Sequence, residues 1–254
     1  MLQSATMMIR QLCRTAITDK QHGGAVMRII AFSDIHGNQY ALRQFLRDIK
    51  EVEYDCLFFC GDMHGYYYGQ HEIAEAFRKM DNLYAVKGNH DKIAMDIAYG
   101  SDNAERYFAQ YGHSYAMLDE TALEYVSELP EVLEIELETK KIAIIHGTFE
   151  NVLNGRMYPK DPLVCKEEYM KYDYVFCGHT HFRDIRRTGN TTIINPGSLG
   201  QQRDGRGFGY AYVDTDTSDV SFFNVRYDMS GLERDIKSYD PDNNKLIDIL
   251  HRGE

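Results

Sequence analysis

Five short motifs stand along the chain in one order: Asp34-Ile35-His36, Gly61-Asp62, Gly88-Asn89-His90-Asp91, His146-Gly147 and Gly178-His179-Thr180-His181. Their carboxylates, imidazoles and single carboxamide all offer lone pairs to a cation. Carboxylate oxygen together with imidazole nitrogen suits divalent ions such as Mn, Fe, Zn or Co. Any one His-Gly or Gly-Asp pair arises often by chance. Gly88-Asn89-His90-Asp91 alone also reads as a turn into a helix, with Asn or Asp as its cap. Gly178-His179-Thr180-His181 alone also reads as a hairpin turn. Five such motifs in series, each in the same local setting, point to a metal site.

That setting is the end of a hydrophobic run. The runs are Arg28-Ile29-Ile30-Ala31-Phe32-Ser33, Cys56-Leu57-Phe58-Phe59-Cys60, Leu83-Tyr84-Ala85-Val86-Lys87, Ile142-Ala143-Ile144-Ile145 and Tyr174-Val175-Phe176-Cys177. Short apolar runs rich in β-branched and aromatic residues read as buried strands. Ligands just past their ends would gather on one edge of a sheet. Residues 39–50 read as an amphipathic helix with Leu42, Phe45, Leu46 and Ile49 on one face, and residues 73–80 as a second helix. Helices alternating with strands indicate βαβ units and a parallel sheet. Residues 92–128 read as a mostly helical rim beside the site, and 131–138 as a strand. Strands are expected over 182–186, 191–194, 210–213 and 220–226, with a turn at Gly189-Asn190, together completing a second sheet. The tail, 231–252, reads as two short helices split at Asp240-Pro241, packed on the outside and without chemistry of its own.

On these motifs the chain resembles the calcineurin-like metallophosphoesterase superfamily. Within it, the chain is similar to the small bacterial and archaeal phosphodiesterase-type branch. The resemblance runs from about Met27 to about Tyr227 and lacks no expected motif. Asp34-Ile35-His36-Gly37-Asn38, Gly61-Asp62-Met63-His64-Gly65-Tyr66 and Asn195-Pro196-Gly197-Ser198-Leu199-Gly200-Gln201-Gln202-Arg203 fit the branch as well. It implies an α/β fold: a four-layer α/β/β/α sandwich of two mixed sheets flanked by helices, with a two-metal site at the strand ends. Asp34, His36 and His181 would hold one metal, and Asn89, His146 and His179 the other. Asp62 would bridge them, and His90 would stand by the phosphoryl group without ligating metal.

Two cations about 3.5–4 Å apart polarise a phosphoryl oxygen and acidify a water between them. A bridging carboxylate offsets the repulsion of two dications at that distance. The resulting hydroxide would attack phosphorus in line, with His90 protonating the departing alkoxide, a task typically worth about 10²–10⁴-fold. Asn89 offers its amide oxygen to metal and its NH₂ to a phosphate oxygen. The expected cofactors are two divalent ions, Mn first, with Fe, Zn, Co or Ni as alternatives.

Composition bounds the rest. The chain of 254 residues has net charge −11, which argues against general nucleic-acid binding but not against nucleotide substrates. No apolar stretch reaches the length of a membrane span. Of the five cysteines, Cys56, Cys60 and Cys177 lie in strand-like runs. Buried reduced thiols in a cytoplasmic protein account for them. Residues 1–26 carry three basic residues and one acidic one, leaving 25 basic and 38 acidic residues in the rest. They read as an N-terminal extension before a natural start at Met27, with residues 27–254 as one domain.

Several residues admit two readings. His64 could touch substrate or lie on a surface loop. Arg203 could bind phosphate bidentately or fix its own loop through a salt bridge. Asn38 could support the metal shell, contact substrate or cap the next helix. Tyr66, Tyr67 and Tyr68 could stack on an aromatic group. Asp91 could orient a neighbour or cap a turn. The irregular loop 148–162 is expected to border the substrate pocket, with Arg156 and Tyr158 as contacts, unless it is a solvated connector. His22, His71, His113 and His251 read as surface residues.

The favoured function is a metal-dependent phosphoesterase acting on a small phosphorylated molecule or nucleotide, with phosphodiesters ahead of monoesters. Protein phosphatases of the same fold usually place an acidic residue and then an Arg where Gly65 and Tyr66 stand, so a phosphoprotein substrate is disfavoured and the partner of His90 is left open. A dinucleoside polyphosphate hydrolase is one alternative. A non-catalytic interaction module on the same fold is another, disfavoured because every metal and catalytic position is filled.

Overall fold

The structure is a computed structural model that describes residues 26–100 and 104–252. The expected N-terminal extension lies almost wholly outside the described residues. Two five-stranded mixed sheets form the middle. The first has the order β10-β9-β1-β2-β3, from β1 (Arg28–Phe32), β2 (Cys56–Phe59), β3 (Leu83–Ala85), β9 (Gly209–Asp214) and β10 (Asp219–Asn224). The second has the order β4-β5-β6-β8-β7, from β4 (Val132–Leu137), β5 (Lys140–Ile145), β6 (Tyr174–Phe176), β7 (Arg183–Thr188) and β8 (Thr191–Pro196).

Strand alternation builds the layers, because successive side chains point to opposite faces. Ile30 and Phe32 of β1 face a cluster with Leu42, Phe45, Ile73 and Phe77. Those residues come from helices α1 (Gln39–Asp48) and α2 (Gln70–Phe77). Ile29 and Ala31 face the other way, into a cluster with Phe58, Ile142, Ile144 and Phe176 that joins the two sheets. The outer face of the second sheet is thinly covered. There Ala143, Ile145, Val175 and Ile193 meet Met157 of the 148–162 loop and Tyr169 of the short helix α6 (Lys166–Tyr169).

The rim is three helices, α3 (Asn89–Ala98), α4 (Ala104–Tyr111) and α5 (Glu120–Glu128), with a 3₁₀ turn at His113–Tyr115. One expectation fails. β9 and β10 extend the first sheet, not the second: β9 pairs antiparallel with β1, with Ile29 opposite Val213. β2 occupies only one side of β1, leaving the other edge to be covered, and Ala211 and Val213 supply apolar groups to the cluster between the sheets. Helix α2 also begins three residues earlier than the apolar pattern suggests, with Gly69 at its N-cap.

The tail forms α7 (Ser230–Tyr239) and α8 (Asn244–Leu250). Leu232, Ile236, Leu246 and Leu250 pack on Tyr67 and Phe208, so these helices cover the loops behind the motifs. Cys56, Cys60 and Cys177 are buried free thiols, and Cys165 is exposed. No helix among the described residues is long and apolar enough to cross a membrane.

Candidate metal centre

The five motifs meet where strands of both sheets end. Asp34 and His36 follow β1, Asp62 follows β2, and Asn89 and His90 open α3 just after β3; His146 follows β5, and His179 and His181 follow β6. Asp34, His36, Asp62, His179 and His181 all have positive φ, between 52° and 66°. Non-glycine residues adopt that conformation at a cost and persist there when the surroundings over-determine them, most often at functional sites. Glycines let the loops approach. A Cβ on Gly88 would lie 2.1 Å from Asp62 Oδ1, and Gly61 itself has φ +94°.

Carbonyls orient the imidazoles. His36 Nδ1–H donates to the His64 carbonyl at 2.9 Å, and His146 Nδ1–H to the Cys60 carbonyl at 2.7 Å. His181 Nδ1–H donates to the Gln201 carbonyl. A carbonyl can only accept, so each bond fixes the proton on the outer nitrogen and turns the Nε2 lone pair inward. His36 Nε2 and His181 Nε2 lie 3.0 Å apart, and His146 Nε2 lies 3.2 Å from His179 Nδ1 and 3.1 Å from Asn89 Oδ1. Asp34 Oδ1 is buried with no hydrogen-bond partner, 3.2 Å from His181 Nε2. Asp62 Oδ2 lies 3.3 Å from His146 Nε2 and 3.8 Å from His36 Nε2.

Buried acceptors this close, with one carboxylate oxygen left without a donor, are the donor set of a cation site. Three side-chain groups can each converge on one ion: Asp34 with His36 and His181; His36 with Asp62 and His90; Asp62 with His146 and His179.

Electrostatics keep most of these rings ready to ligate. Burial pushes His36 and His90 well below the ordinary imidazole range, and lowers His181. Burial and then the neighbouring His146 lower His179 to about 3. His146 is the exception. Burial opposes its protonation, but Asp62 more than offsets this and raises it to about 9. Burial raises Asp62 itself to about 6, against the pull of His146. Burial likewise disfavours the charged form of Asp34, yet the imidazoles of His181, His146 and His36 hold its carboxyl well below the usual range.

The family model for the calcineurin-like phosphoesterase superfamily domain matches residues 27–218. The chain belongs to that superfamily. An uncharacterized protein of Methanocaldococcus jannaschii is 28% identical over 230 residues, covering 79% of this chain and 88% of the relative. Among solved structures, a metallophosphoesterase from Sphaerobacter thermophilus superposes with a TM-score of 0.71 at 25% identity, over 91% of this chain and 100% of that one. A hypothetical protein from Pyrococcus horikoshii does so with a TM-score of 0.78 at 20% identity, over 89% and 98%. Membership makes a phosphoesterase hydrolase the supported class, in a superfamily that uses metal.

Around this superfamily core, the remaining candidates sort themselves. Arg203 stands beside the cluster. It donates to Tyr66 Oη at 3.0 Å and Gln201 Oε1 at 2.9 Å, and among the described residues no carboxylate is within ion-pair distance of it. The loop-fixing salt bridge is therefore not formed. Tyr66 packs edge-on to His36, with ring centroids 4.8 Å apart, and against His90 at 5.0 Å. Arg156 Nε points at His179 Nε2 from 3.4 Å, which brings the 148–162 loop to the centre, whereas Tyr158 turns its ring to Phe182.

Other expectations are corrected. His64 is neither on the surface nor at the mouth: it is fully buried, and its ring pairs with Asp91 at 3.0 Å. Asn38 is buried, and the capping reading holds for it. Its Oδ1 caps α1 through Ala41 N–H, and its Nδ2 donates to the Gly200 carbonyl and to Tyr227 Oη. Tyr67 and Tyr68 serve the tail, where Tyr67 is wholly buried and Tyr68 Oη donates to Asp240 at 2.6 Å. His71, His113 and His251 are on the surface, and His22 lies outside the described residues.

Tyr115 escapes the motif reading, and Asp91 takes both of the roles expected of it. Tyr115 Oη lies 2.5 Å from His90 Nδ1 and fills the partner position left open above. Asp91 accepts backbone N–H bonds from Gly88, Asp62, Met63 and His64, so it both caps the turn and orients His64. Its acidic type at the third position of a helix was a usable signal; Tyr115, 25 residues from its partner with helix α4 between them, gave none.

Proposed function

We propose that the protein is a binuclear metal-dependent phosphoesterase acting on a small phosphorylated molecule or nucleotide, with a preference for phosphodiesters. One observation carries this reading: Asp62 Oδ2 sits between His36 Nε2 at 3.8 Å and His146 Nε2 at 3.3 Å, with a further set of inward-facing acceptors on each side. Asp34, His36 and His181 would hold one cation, and Asn89, His146 and His179 the other, with Asp62 shared. Bound divalent cations supply Lewis-acid polarisation of the phosphoryl group and an acidified water.

The chain's own groups do the rest. Arg156, beside His179, and Arg203, beside Tyr66, neutralise non-bridging phosphate oxygens with charge-assisted hydrogen bonds. Asn89 would ligate through Oδ1 and leave its NH₂ for a phosphate oxygen. When His90 is protonated, Tyr115 Oη accepts from its Nδ1–H and holds the ring with Nε2–H towards the departing oxygen, so that giving up the Nε2 proton leaves a neutral imidazole. Tyr66, tilted against His90 at 5.0 Å, and Tyr111, edge-on to it at 4.7 Å, limit water around that transfer. The diester preference rests on the branch the chain resembles; the proton donor serves an alkoxide leaving group of either ester class.

The test is hydrolysis by the Mn-reconstituted full chain of p-nitrophenyl phosphate, its bis-ester, cyclic nucleotides and diadenosine polyphosphates. Each is run beside Asn89→Ala and His90→Ala. Cyclic-nucleotide turnover that falls by about 10²-fold or more in His90→Ala, with the p-nitrophenyl esters less affected, supports the reading. A protein that binds two equivalents of metal yet hydrolyses none of these under Mn, Fe, Zn, Co or Ni refutes it and points to an interaction module.

A further inference from the structure

Helices α1 and α7 touch where Tyr40 meets Gly231; a Cβ on Gly231 would lie 2.4 Å from the Tyr40 ring. Beside this contact, between the two helices, lies a cavity of about 230 Å³. Its walls carry Arg43 and Arg47, one turn apart on α1, and Arg234 on α7, against a single lining carboxylate, Asp228. Asp228 is engaged by its own turn, accepting from Ser230 N–H at 2.9 Å. Asp235, the next acid along α7, accepts from Tyr40 Oη at 2.9 Å.

Arg28, Arg78 and Arg186 are each paired with a carboxylate. Among the described residues, Arg43, Arg47 and Arg234 have no carboxylate within that distance. Arg43 spends one N–H on Gln39, and Arg234 one on Ser230. Three guanidinium groups around one cavity repel one another. On a chain of net charge −11 their convergence is not a by-product of a generally basic surface. A multiply charged anion relieves the repulsion, and the planar fork of each guanidinium matches the oxygens of a phosphate group.

We propose that this cavity is a second anion site, where Arg43, Arg47 and Arg234 bind a compact phosphate-rich anion of the diphosphate class. It is tied to the metal-bearing loops from behind. Tyr227, also in the cavity wall, accepts from Asn38 Nδ2 at 2.8 Å, and Asn38 caps α1 two residues after His36. An anion bridging α1 and α7 therefore braces the helix that follows the first motif. The site is independent of the phosphoesterase reading, because it needs no metal and no turnover.

The experiment is calorimetric titration of inorganic pyrophosphate into the metal-stripped full chain at low ionic strength. One binding event is expected, weakened about tenfold in Arg47→Gln and again in Arg234→Gln, the loss that follows removal of one charge-assisted hydrogen bond. It should also weaken with added salt. Arg203→Gln and Arg156→Gln, at the metal centre, should leave it unchanged. All four side chains are at least partly exposed, and circular dichroism checks that the variants fold. A pyrophosphate-dependent rise in Tm should appear in the wild type and vanish in the Arg47/Arg234 double variant. No binding, binding indifferent to Arg47 and Arg234, or binding lost with Arg203 or Arg156 would overturn the proposal.

Discussion

His90 keeps Nδ1 on the Tyr115 hydroxyl, and among the described residues no carboxylate lies within ion-pair distance of its ring. A phenol orients an imidazole without adding a charge. Tyr115→Phe keeps the ring packing and removes only the hydroxyl. Turnover of alkyl diesters should fall about tenfold or more, within the span that proton donation supplies. Turnover of p-nitrophenyl esters should change little, because that leaving group departs without a proton. The ratio of kcat values across leaving groups reads the effect; an equal loss for both would reduce Tyr115 to packing.

The imidazoles also predict a pH profile for the metal-free protein. His36, His90 and His181 are lowered by burial, and His179 to about 3. Above the unfolded value of about 6.5 both states hold these rings neutral. As pH falls from there towards the folded values, the unfolded chain takes up protons that the folded site refuses, and stability is lost. His146, raised to about 9 by Asp62 against burial, acts in the other direction. Its contribution is full below about 6.5 and is lost as pH rises through 9. Thermal midpoints measured in chelator should therefore fall on both sides of neutrality, whereas a flat profile would contradict the neutral cage.

Among the elements, the start of α3 is the junction that matters. Asp91 gathers four backbone N–H groups and the His64 ring onto one buried carboxylate, tying the loop after β2 to the loop after β3. Asp91→Ala strands those donors and unpairs His64. A loss of about 3–5 kcal/mol is expected, as when one partner of a buried pair is removed. Urea unfolding would register it, with Asp91→Asn intermediate because it keeps one acceptor.

The same junction marks how far the sequence can be read. Strand-end motifs are local: an apolar run and the residue after it predict both the strand and the edge on which Asp34, Asp62 or His146 will sit. The direction of a side chain within a loop is not local. His64 is two residues from Asp62 yet wholly buried, because Asp91, 27 residues later, turns its ring inward. Strand partners depend on the whole topology too, and so β9 and β10 joined the first sheet against expectation. The cap formed by Asn38 was legible because capping is decided within three residues.

For the molecule as a whole, the tail is part of the support of the site. Leu246 is buried against Tyr67, whose Oη donates to the Leu246 carbonyl, and whose N–H donates to the His36 carbonyl. Leu246→Ala should cost about 2–5 kcal/mol, as for large-to-small changes in a packed core. It should also weaken metal binding, because the loss propagates through Tyr67 to the loop of His36. Denaturant midpoints and a metal titration separate the two effects, and unchanged metal affinity would confine the tail to stability alone.

Asp34, His36, Asp62 and Asn89 hang from the first sheet, and His146, His179 and His181 from the second. Between the sheets themselves the contact is apolar, as where Phe58 meets Phe176 edge-on at 4.9 Å. Such a contact resists separation but has little directional resistance to sliding. Seen mechanically, the molecule is two plates with a lubricated seam, and the cluster is the place for a rivet through both. A cation held there couples the plates against shear, so that the centre serving chemistry would also set the stiffness of the whole sandwich.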